Sequence, residues 1–272
     1  MNHVPDDLRF EVRDGIALVT LDRPAHRNAF SGPMSVALGR AYTACDEDDA
    51  VRAVVLTGAG SDFCVGADFS GGDTVFEKRD EPTFSAAGVE PPAFAIRKPV
   101  IAAVNGHAVG IGLTLPMQCD IRILAREGKY GFLHVRRGVL PDAYAHWTVP
   151  RAIGFARAAD LFLTGRTFSG DEALALGIAS RVVPAADVLA VALEIARDIA
   201  VNVAPLSAAV CKRLLWDDAA GDPAAVGRKE TALHHVVMGR PDALEGVRAF
   251  LERRVPQWQL RVPRDFPRTW PK

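Results

Sequence analysis

Two apolar segments that each run into a glycine-rich turn constrain this chain more than any other feature. Residues 99–104 are apolar and lead into Asn-Gly-His-Ala-Val-Gly-Ile-Gly at 105–112, and residues 54–57 lead into Gly-Ala-Gly-Ser-Asp-Phe-Cys-Val-Gly-Ala-Asp at 58–68. Short apolar runs bounded by glycine are typical of buried strands. A turn that opens a helix can point backbone N–H groups at a developing negative charge. The two strand-to-turn segments therefore predict an α/β fold and are candidates for the two donors of an oxyanion hole, with simple tight loops as the alternative.

The hydrophobic pattern extends this prediction along the chain. Strands are predicted over 16–21, 51–57, 100–104 and 121–124. A helix is predicted over 31–45, with Ser31 as its cap. Its apolar face consists of Met34, Ala37, Leu38, Ala41 and Tyr42. Residues 69–95 are interrupted by Gly and Pro and predict a mobile loop with one short helix.

After residue 183 the pattern becomes helical. The predicted helices span 187–201, 206–216, 224–238 and 242–253. We therefore expect a boundary near residue 200, between a β/α core (1–200) and a helical C-terminal region (201–272).

Composition excludes several classes of protein. The 272 residues are 49% apolar and 24% charged, with a net charge of −1, so nothing indicates binding to nucleic acid or to an anionic membrane. We expect no signal peptide, because the N-terminus has no basic stretch followed by an apolar one. We expect no membrane span, because no apolar run is long enough to cross a bilayer. The four scattered cysteines form no CxxC pair. They indicate buried, reduced thiols in a cytoplasmic protein without a metal site.

Further motifs at consistent spacing surround the two turns. They are Leu-Asp-Arg-Pro at 21–24, Arg-Asn-Ala at 27–29, Lys-Pro-Val-Ile-Ala-Ala-Val-Asn-Gly at 98–106, Cys-Asp-Ile-Arg at 119–122, Leu-Thr-Gly-Arg at 163–166 and Glu-Ala-Leu-Ala-Leu-Gly at 172–177. With them, residues 10–256 resemble the enoyl-CoA hydratase/isomerase (crotonase) superfamily. The resemblance implies a crotonase-like spiral of β/α turns and a C-terminal helical region that packs a homotrimer or a dimer of trimers. It also implies an acyl-CoA thioester substrate and no separate cofactor, since CoA enters as part of the substrate.

The resemblance assigns the oxyanion donors to the backbone N–H groups of Ala67 and Ile111. Loss of one such donor typically costs about 3–4 kcal/mol of transition-state stabilisation. The family usually has glycine where this chain has Ile111. The change keeps the donor, but the branched side chain must find room.

The two glutamates by which hydratases of this family hold and ionise water are absent. The matching positions are Thr114 and His134. A threonine hydroxyl forms hydrogen bonds but is no base near neutral pH, whereas an imidazole is. His134 is therefore a candidate catalytic residue, with a satisfied structural histidine as the alternative.

Asp142 occupies a position where typical hydratases have glycine. The chain here resembles dienoyl-CoA isomerases, 4-chlorobenzoyl-CoA dehalogenases and 3-hydroxyisobutyryl-CoA hydrolases, in which an acid at this place acts as a base, a nucleophile or a water-activating group. The alternative is a helix N-cap after Pro141, a position that Asp suits. One aspartate could serve in both ways. His134 and Asp142 together form a candidate acid/base pair.

Other residues are assigned more loosely. Tyr144, His146 and Trp147 are candidates for the acyl pocket, with core packing as the alternative for Trp147. Pro116 is expected to kink any helix after the second turn. By resemblance, the candidates for CoA binding are Arg23, Arg27, Ala29, Asp68, Phe250 and Arg253. For the basic residues near 253, an exposed helix face is the alternative.

Three functions remain open at this point. The first is an enzyme of the hydratase/isomerase family that isomerises, hydrolyses or cleaves an acyl-CoA, rather than a simple hydratase. The second is a non-catalytic acyl-CoA-binding protein on the same fold. The third is a scaffold without a ligand.

Overall fold

The computed structural model describes residues 7–76, 85–217 and 222–271. Its strands are β1 (Leu8–Arg13), β2 (Ile16–Leu21), β3 (Ala53–Gly58), β4 (Val100–Val104), β5 (Ala108–Val109), β6 (Ile121–Ala125), β7 (Lys129–Gly131), β8 (Thr167–Ser169) and β9 (Arg181–Val183). Its α-helices are α1 (Gly32–Glu47), α2 (Ile111–Thr114), α3 (Ala145–Ile153), α4 (Phe155–Thr164), α5 (Gly170–Leu176), α6 (Val188–Asn202), α7 (Pro205–Leu215), α8 (Pro223–Val237), α9 (Pro241–Glu252) and α10 (Val262–Asp265).

A six-stranded sheet in the order β1-β2-β3-β4-β6-β9 forms the centre of the fold. The β1–β2 pair is antiparallel, and the other pairs in this sheet are parallel. A smaller sheet has the order β5-β7-β8. Because β3 and β4 are parallel neighbours, their carboxyl ends lie at the same edge. The two glycine-rich turns therefore leave the large sheet side by side.

The long elements follow the sequence pattern. Strands β2 and β4 have the predicted bounds, and β3 and β6 differ from prediction by one or two residues at their ends. Helix α1 begins after Ser31, whose hydroxyl accepts a hydrogen bond from the Met34 amide at 3.1 Å. The predicted apolar face of α1 is buried. These predictions are confirmed, since a buried strand or a capped amphipathic helix carries a strong local signal.

The short elements were not predicted. Strands β5, β7, β8 and β9 have only two or three residues each, too few to show a periodic pattern. Strand β1 is an edge strand with most of its residues exposed or half-buried, so it lacks the apolar run of a central strand. In the loop predicted over 69–95, Phe69–Phe76 forms a 3-10 segment, while residues 77–84 lie outside the described residues.

Helix α6 covers one face of the large sheet. Its buried residues Val188, Ala192 and Ala196 pack against a cluster that includes Val55 and Ile101. The helix differs by one residue at each end from the helix predicted over 187–201. Helices α7 and α8 then form a separate small core with the C-terminal segment around Leu206, Val210, Leu233 and Leu260.

A buried ion pair fixes helix α7 to the sheet. The Lys212 ammonium lies 2.9 Å from an Asp120 carboxylate oxygen and donates to the carbonyls of Ala93 and Lys98, each at 2.8 Å. Asp120 also accepts from the indole N–H of Trp216 and from the amide of Val100, each at 2.7 Å. Every donor of the buried ammonium therefore has an acceptor.

The cysteine prediction holds in part. Cys45, Cys64 and Cys119 are buried free thiols, and burial raises the pKa of each to about 12. Cys211 is free but exposed, so the prediction that it is buried is wrong.

In the described part of the chain, no helix is both long and apolar enough to cross a membrane.

Replacing Lys212 with Met is expected to lower the free energy of unfolding by about 3 kcal/mol, because Asp120 then loses its buried cation. Urea denaturation of Lys212→Met measures the loss. The matched control is Arg197→Met on α6, where the side chain is exposed. Equal stabilities of the two variants would show that the buried pair contributes nothing.

Candidate functional site

A cavity of about 970 Å³ lies where the two glycine-rich turns meet. Five segments of the chain line it: the two turns, the stretch leading into α1, residues 85–88 and residues 133–142. The lining residues are Phe30, Ser31, Gly32, Val65, Gly66, Ala67, Asp68, Phe69, Ser70, Ser85, Ala86, Gly88, Val109, Gly110, Ile111, Leu133, His134, Arg137, Val139, Leu140 and Asp142. Most of this surface is apolar, as in small-molecule sites generally.

The two turns pack backbone against backbone. Val109 donates its amide to the carbonyl of Cys64 at 3.2 Å, which joins the second turn to the first. A Cβ atom at Gly112 would lie 2.1 Å from the same Cys64 carbonyl oxygen. Glycine is therefore required at 112 if the turns are to meet, and this close approach sets the position of Ile111.

The two predicted oxyanion donors both line the cavity. In residues 7–76, 85–217 and 222–271, neither the Ala67 amide nor the Ile111 amide donates to a backbone acceptor. The Ile111 side chain has room because residue 88 is glycine: a Cβ there would lie 3.3 Å from the Ile111 Cδ1 atom. The structure thus brings together two free amides and a place for the branched side chain. Their role toward a thioester stays a prediction.

Pro116 ends the helix after the second turn instead of kinking it. Helix α2 has only four residues, and Pro116 begins a 3-10 turn over Pro116–Gln118. The reason is that proline has no amide to continue the helical hydrogen bonds. Thr114, the last residue of α2, still faces the site.

Thr114, His134 and Asp142 form one cluster. The Thr114 hydroxyl donates to Asp142 Oδ1 at 2.7 Å. His134 Nε2 lies 3.4 Å from the same oxygen, although the pair lacks hydrogen-bond geometry and neither ring nitrogen has a partner within the described residues. Thr114 and His134 are buried, whereas 27% of the Asp142 side chain is exposed. Catalytic hydrogen bonds are often long before substrate binds, so this geometry is compatible with an acid/base pair.

The alternative role of Asp142 as a helix cap is wrong. Helix α3 begins at Ala145, its N-cap is Tyr144, and no side chain caps it. The Asp142 carboxylate instead accepts a hydrogen bond from the Thr114 hydroxyl.

An unusual backbone turn orients Asp142. Ala143 and Tyr144 both have positive φ angles, +49° and +62°, which L-residues rarely adopt. The Ala143 amide donates to the Ala86 carbonyl at 2.7 Å, and the buried Gln118 side chain donates to the Ala143 carbonyl at 3.0 Å. Gln118 also accepts from the Ala93 amide at 3.3 Å. The role of Gln118 was not predicted from the sequence. The signal that could have indicated it is the glutamine itself, a polar residue within the largely apolar run at 113–119.

The structure places the three predicted pocket residues outside the cavity lining. Tyr144 and Trp147 pack against Phe94, with ring centroids 5.1 and 5.2 Å apart. The His146 ring contacts Phe162 at 5.1 Å. For Trp147, this contact corresponds to core packing, which was the alternative to a role in the acyl pocket.

The predicted CoA-binding residues separate into two groups. Arg23 pairs with Asp68 at 2.8 Å and donates to the Ala29 carbonyl at 2.8 Å. The Ser70 amide and the Arg23 guanidinium hold the pKa of Asp68 down at about 2. Arg27 makes two bonds of 2.9 Å to Asp62. Of this first group only Asp68 lines the cavity.

The second group lies at the end of α9. Phe250 is 82% exposed, and Arg253, the C-cap residue, is exposed with a positive φ. Neither residue lines the cavity. For Arg253, this placement corresponds to the exposed helix face that was the alternative.

Replacing Gly112 with Ala is expected to destabilise the fold by about 1–3 kcal/mol, because a methyl group cannot fit beside the Cys64 carbonyl without moving a turn. Gly227→Ala is the matched control, since that glycine lies within α8 with open space around it and alanine favours a helix. Urea denaturation of both variants measures the difference. Wild-type stability of Gly112→Ala would contradict the tight packing of the turns.

Comparisons with known proteins agree on one family. A family model described as enoyl-CoA hydratase/isomerase matches residues 11–261. An enoyl-CoA hydratase of Alternaria alternata is 39% identical, over 90% of this chain and 83% of that protein. A mevalonyl-coenzyme A hydratase of Aspergillus fumigatus is 34% identical, over 90% of this chain and 91% of that protein. A crystal structure of a probable enoyl-CoA hydratase/isomerase from Mycobacterium abscessus is 53% identical with a TM-score of 0.89, covering 93% of this chain and 98% of that one. The chain therefore belongs to the enoyl-CoA hydratase/isomerase family and has the crotonase fold.

Proposed function

We propose that the protein isomerises a double bond in the acyl group of a CoA thioester. In this reaction Asp142 removes a proton from one carbon of the acyl chain, and the negative charge passes to the thioester oxygen. The amides of Ala67 and Ile111 stabilise that enolate. Asp142 then returns the proton to another carbon, so the double bond moves and no other reactant is consumed.

The observation that carries the proposal is the free oxygen of Asp142. Its Oδ1 accepts from Thr114 and faces His134, while Oδ2 has no partner in the part of the chain that the structure describes. Asp142 lines the cavity, so Oδ2 is available to a bound acyl chain. A carboxylate held by one oxygen and open at the other suits the repeated uptake and release of one proton.

His134 and Thr114 support Asp142 in different ways. The buried His134 imidazole lies 3.4 Å from Asp142 Oδ1, which places it within reach of a proton that the carboxylate takes up. Thr114 fixes the orientation of the carboxylate but transfers no proton itself.

Efficient hydration of a simple 2-enoyl-CoA is not expected. The two positions at which hydratases hold water with carboxylates are Thr114 and His134, and Asp142 supplies only one carboxylate. We therefore expect kcat for crotonyl-CoA hydration to lie well below the ~10 s⁻¹ typical of enzymes.

A panel of 2-enoyl, 3-enoyl and dienoyl CoA thioesters, incubated in D₂O and followed by mass spectrometry, tests the function. Isomerisation predicts unchanged elemental composition and a double bond at a new position, found by fragmentation of the product, with deuterium added only where the proton on Asp142 exchanges with solvent during the transfer. Hydration adds the mass of water, hydrolysis releases free CoA, and C–C cleavage shortens the acyl chain. Any of these three as the main reaction would contradict isomerisation. Binding without turnover would favour the non-catalytic alternative.

With an active substrate, Asp142→Asn and His134→Ala should each lower kcat by about 10²-fold or more, the scale for losing a general acid or base. Affinity for CoA should change little, because the oxyanion donors are backbone groups. Asp171→Asn and His235→Ala are matched controls, since both side chains are exposed. Near-normal turnover of both site variants would remove the pair from the mechanism.

We also propose that the chain assembles as a homotrimer or a dimer of trimers through its C-terminal helices. Helix α9 exposes apolar side chains over most of its length: Leu244, Val247, Phe250 and Leu251. Apolar surface of this kind is often covered by a partner subunit. Light scattering at micromolar concentration should give at least three times the chain mass, and a stable monomer would refute the assembly.

A further inference from the structure

Arg137 is an exposed cation in the cavity wall, and among the described residues it has no acidic partner. The hydrogen bond that its side chain makes there runs from Nη1 to the carbonyl of the preceding residue, Arg136, at 3.3 Å. Of the other charged groups of the lining, Asp68 is paired with Arg23, and Asp142 accepts a hydrogen bond from the Thr114 hydroxyl and lies 3.4 Å from His134 Nε2. Within residues 7–76, 85–217 and 222–271, no Asp or Glu forms an ion pair with Arg137. The guanidinium is therefore available to an anion in the cavity.

The local backbone places Arg137 beside the reacting part of the site. Leu133–Arg137 is a 3-10 segment. Because such a helix has three residues per turn, side chains three positions apart share a face, about 6 Å apart along the axis. Arg137 therefore follows His134 on one face, and both residues line the cavity. The other lining residues of this stretch, Leu133, Val139 and Leu140, are apolar.

We propose that Arg137 binds a carboxylate at the far end of the acyl chain, so that the substrate is the CoA thioester of a dicarboxylic acid. The inference rests on the proposed function, because it assumes that the acyl group lies beside His134 and Asp142. A guanidinium matches a carboxylate with two parallel hydrogen bonds. The apolar residues around it suit the methylene groups between the thioester and the carboxylate. Arg137 also offsets the repulsion between that carboxylate and Asp142.

A phosphate of CoA is the other anion that could reach an arginine. The two sources make opposite predictions. If Arg137 binds the acyl carboxylate, its loss affects only carboxylated thioesters. If it binds a CoA phosphate, its loss weakens every thioester and free CoA by the same factor.

Calorimetric binding of saturated thioesters tests the proposal without requiring turnover. The probes are glutaryl-CoA and adipyl-CoA, their uncharged counterparts pentanoyl-CoA and hexanoyl-CoA, and free CoA. The wild-type protein should bind a carboxylated probe about 10–100-fold more tightly than its counterpart, the scale of a charge-assisted hydrogen bond. Arg137→Met should abolish that preference and leave the affinities for hexanoyl-CoA and free CoA unchanged, while Arg137→Lys should retain part of it.

Arg136→Met is the matched control, because Arg136 is the neighbouring arginine, is exposed like Arg137, and bonds the Thr164 carbonyl at 2.9 Å outside the cavity lining. Thermal unfolding of all variants checks that they fold. The proposal is overturned if the wild-type protein shows no preference for carboxylated probes, or if Arg137→Met weakens all probes equally. Since none of the probes reacts by isomerisation, failure here is distinct from failure of the proposed function, which the D₂O panel detects.

Discussion

The close backbone contact between the two glycine-rich turns is the constraint on which the site depends. Parallel pairing of β3 and β4 brings both turns to one edge of the sheet. At that edge the Cys64 carbonyl occupies space that a Cβ at position 112 would need. The amides of Ala67 and Ile111 are thereby fixed on rigid backbone, which is what stabilisation of a developing charge requires, because no side chain has to reorganise. The cavity forms around this contact.

The acidic groups of the cavity differ in how firmly they are held. Asp68 is paired with Arg23 and has a low pKa of about 2, so it is a fixed anion that supports the first turn. Asp142 is held at one oxygen by a neutral hydroxyl and lies beside a histidine. Asp68 is thus committed to its ion pair, whereas Asp142 lines the cavity and its Oδ2 has no partner among the described residues. This contrast separates the structural acid from the candidate base.

Much of the fold was predictable from local pattern. The buried strands β2 and β4, the capped helix α1 and the run of C-terminal helices all follow from apolar periodicity and capping residues within one segment. Sequence motifs also led to Thr114, His134 and Asp142 as site residues, although 28 positions separate the first from the last. The pattern did not identify Gln118, which orients Asp142 through the Ala143 carbonyl. Its two partners come from segments that meet only in the folded chain.

The sequence by itself determined which residue types could perform the chemistry: backbone donors at two glycine-rich turns, an imidazole and a carboxylate, with the usual glutamate pair absent. The tertiary structure decided what those residues do. It joined Asp142 to Thr114 by a hydrogen bond and packed Tyr144, His146 and Trp147 outside the cavity lining. It also left Arg137 in the wall without an acidic partner in the part of the chain that the structure describes. The physical reason is that a local pattern fixes backbone conformation, whereas the direction of a side chain at a turn is set by packing and hydrogen bonds with residues distant in the chain.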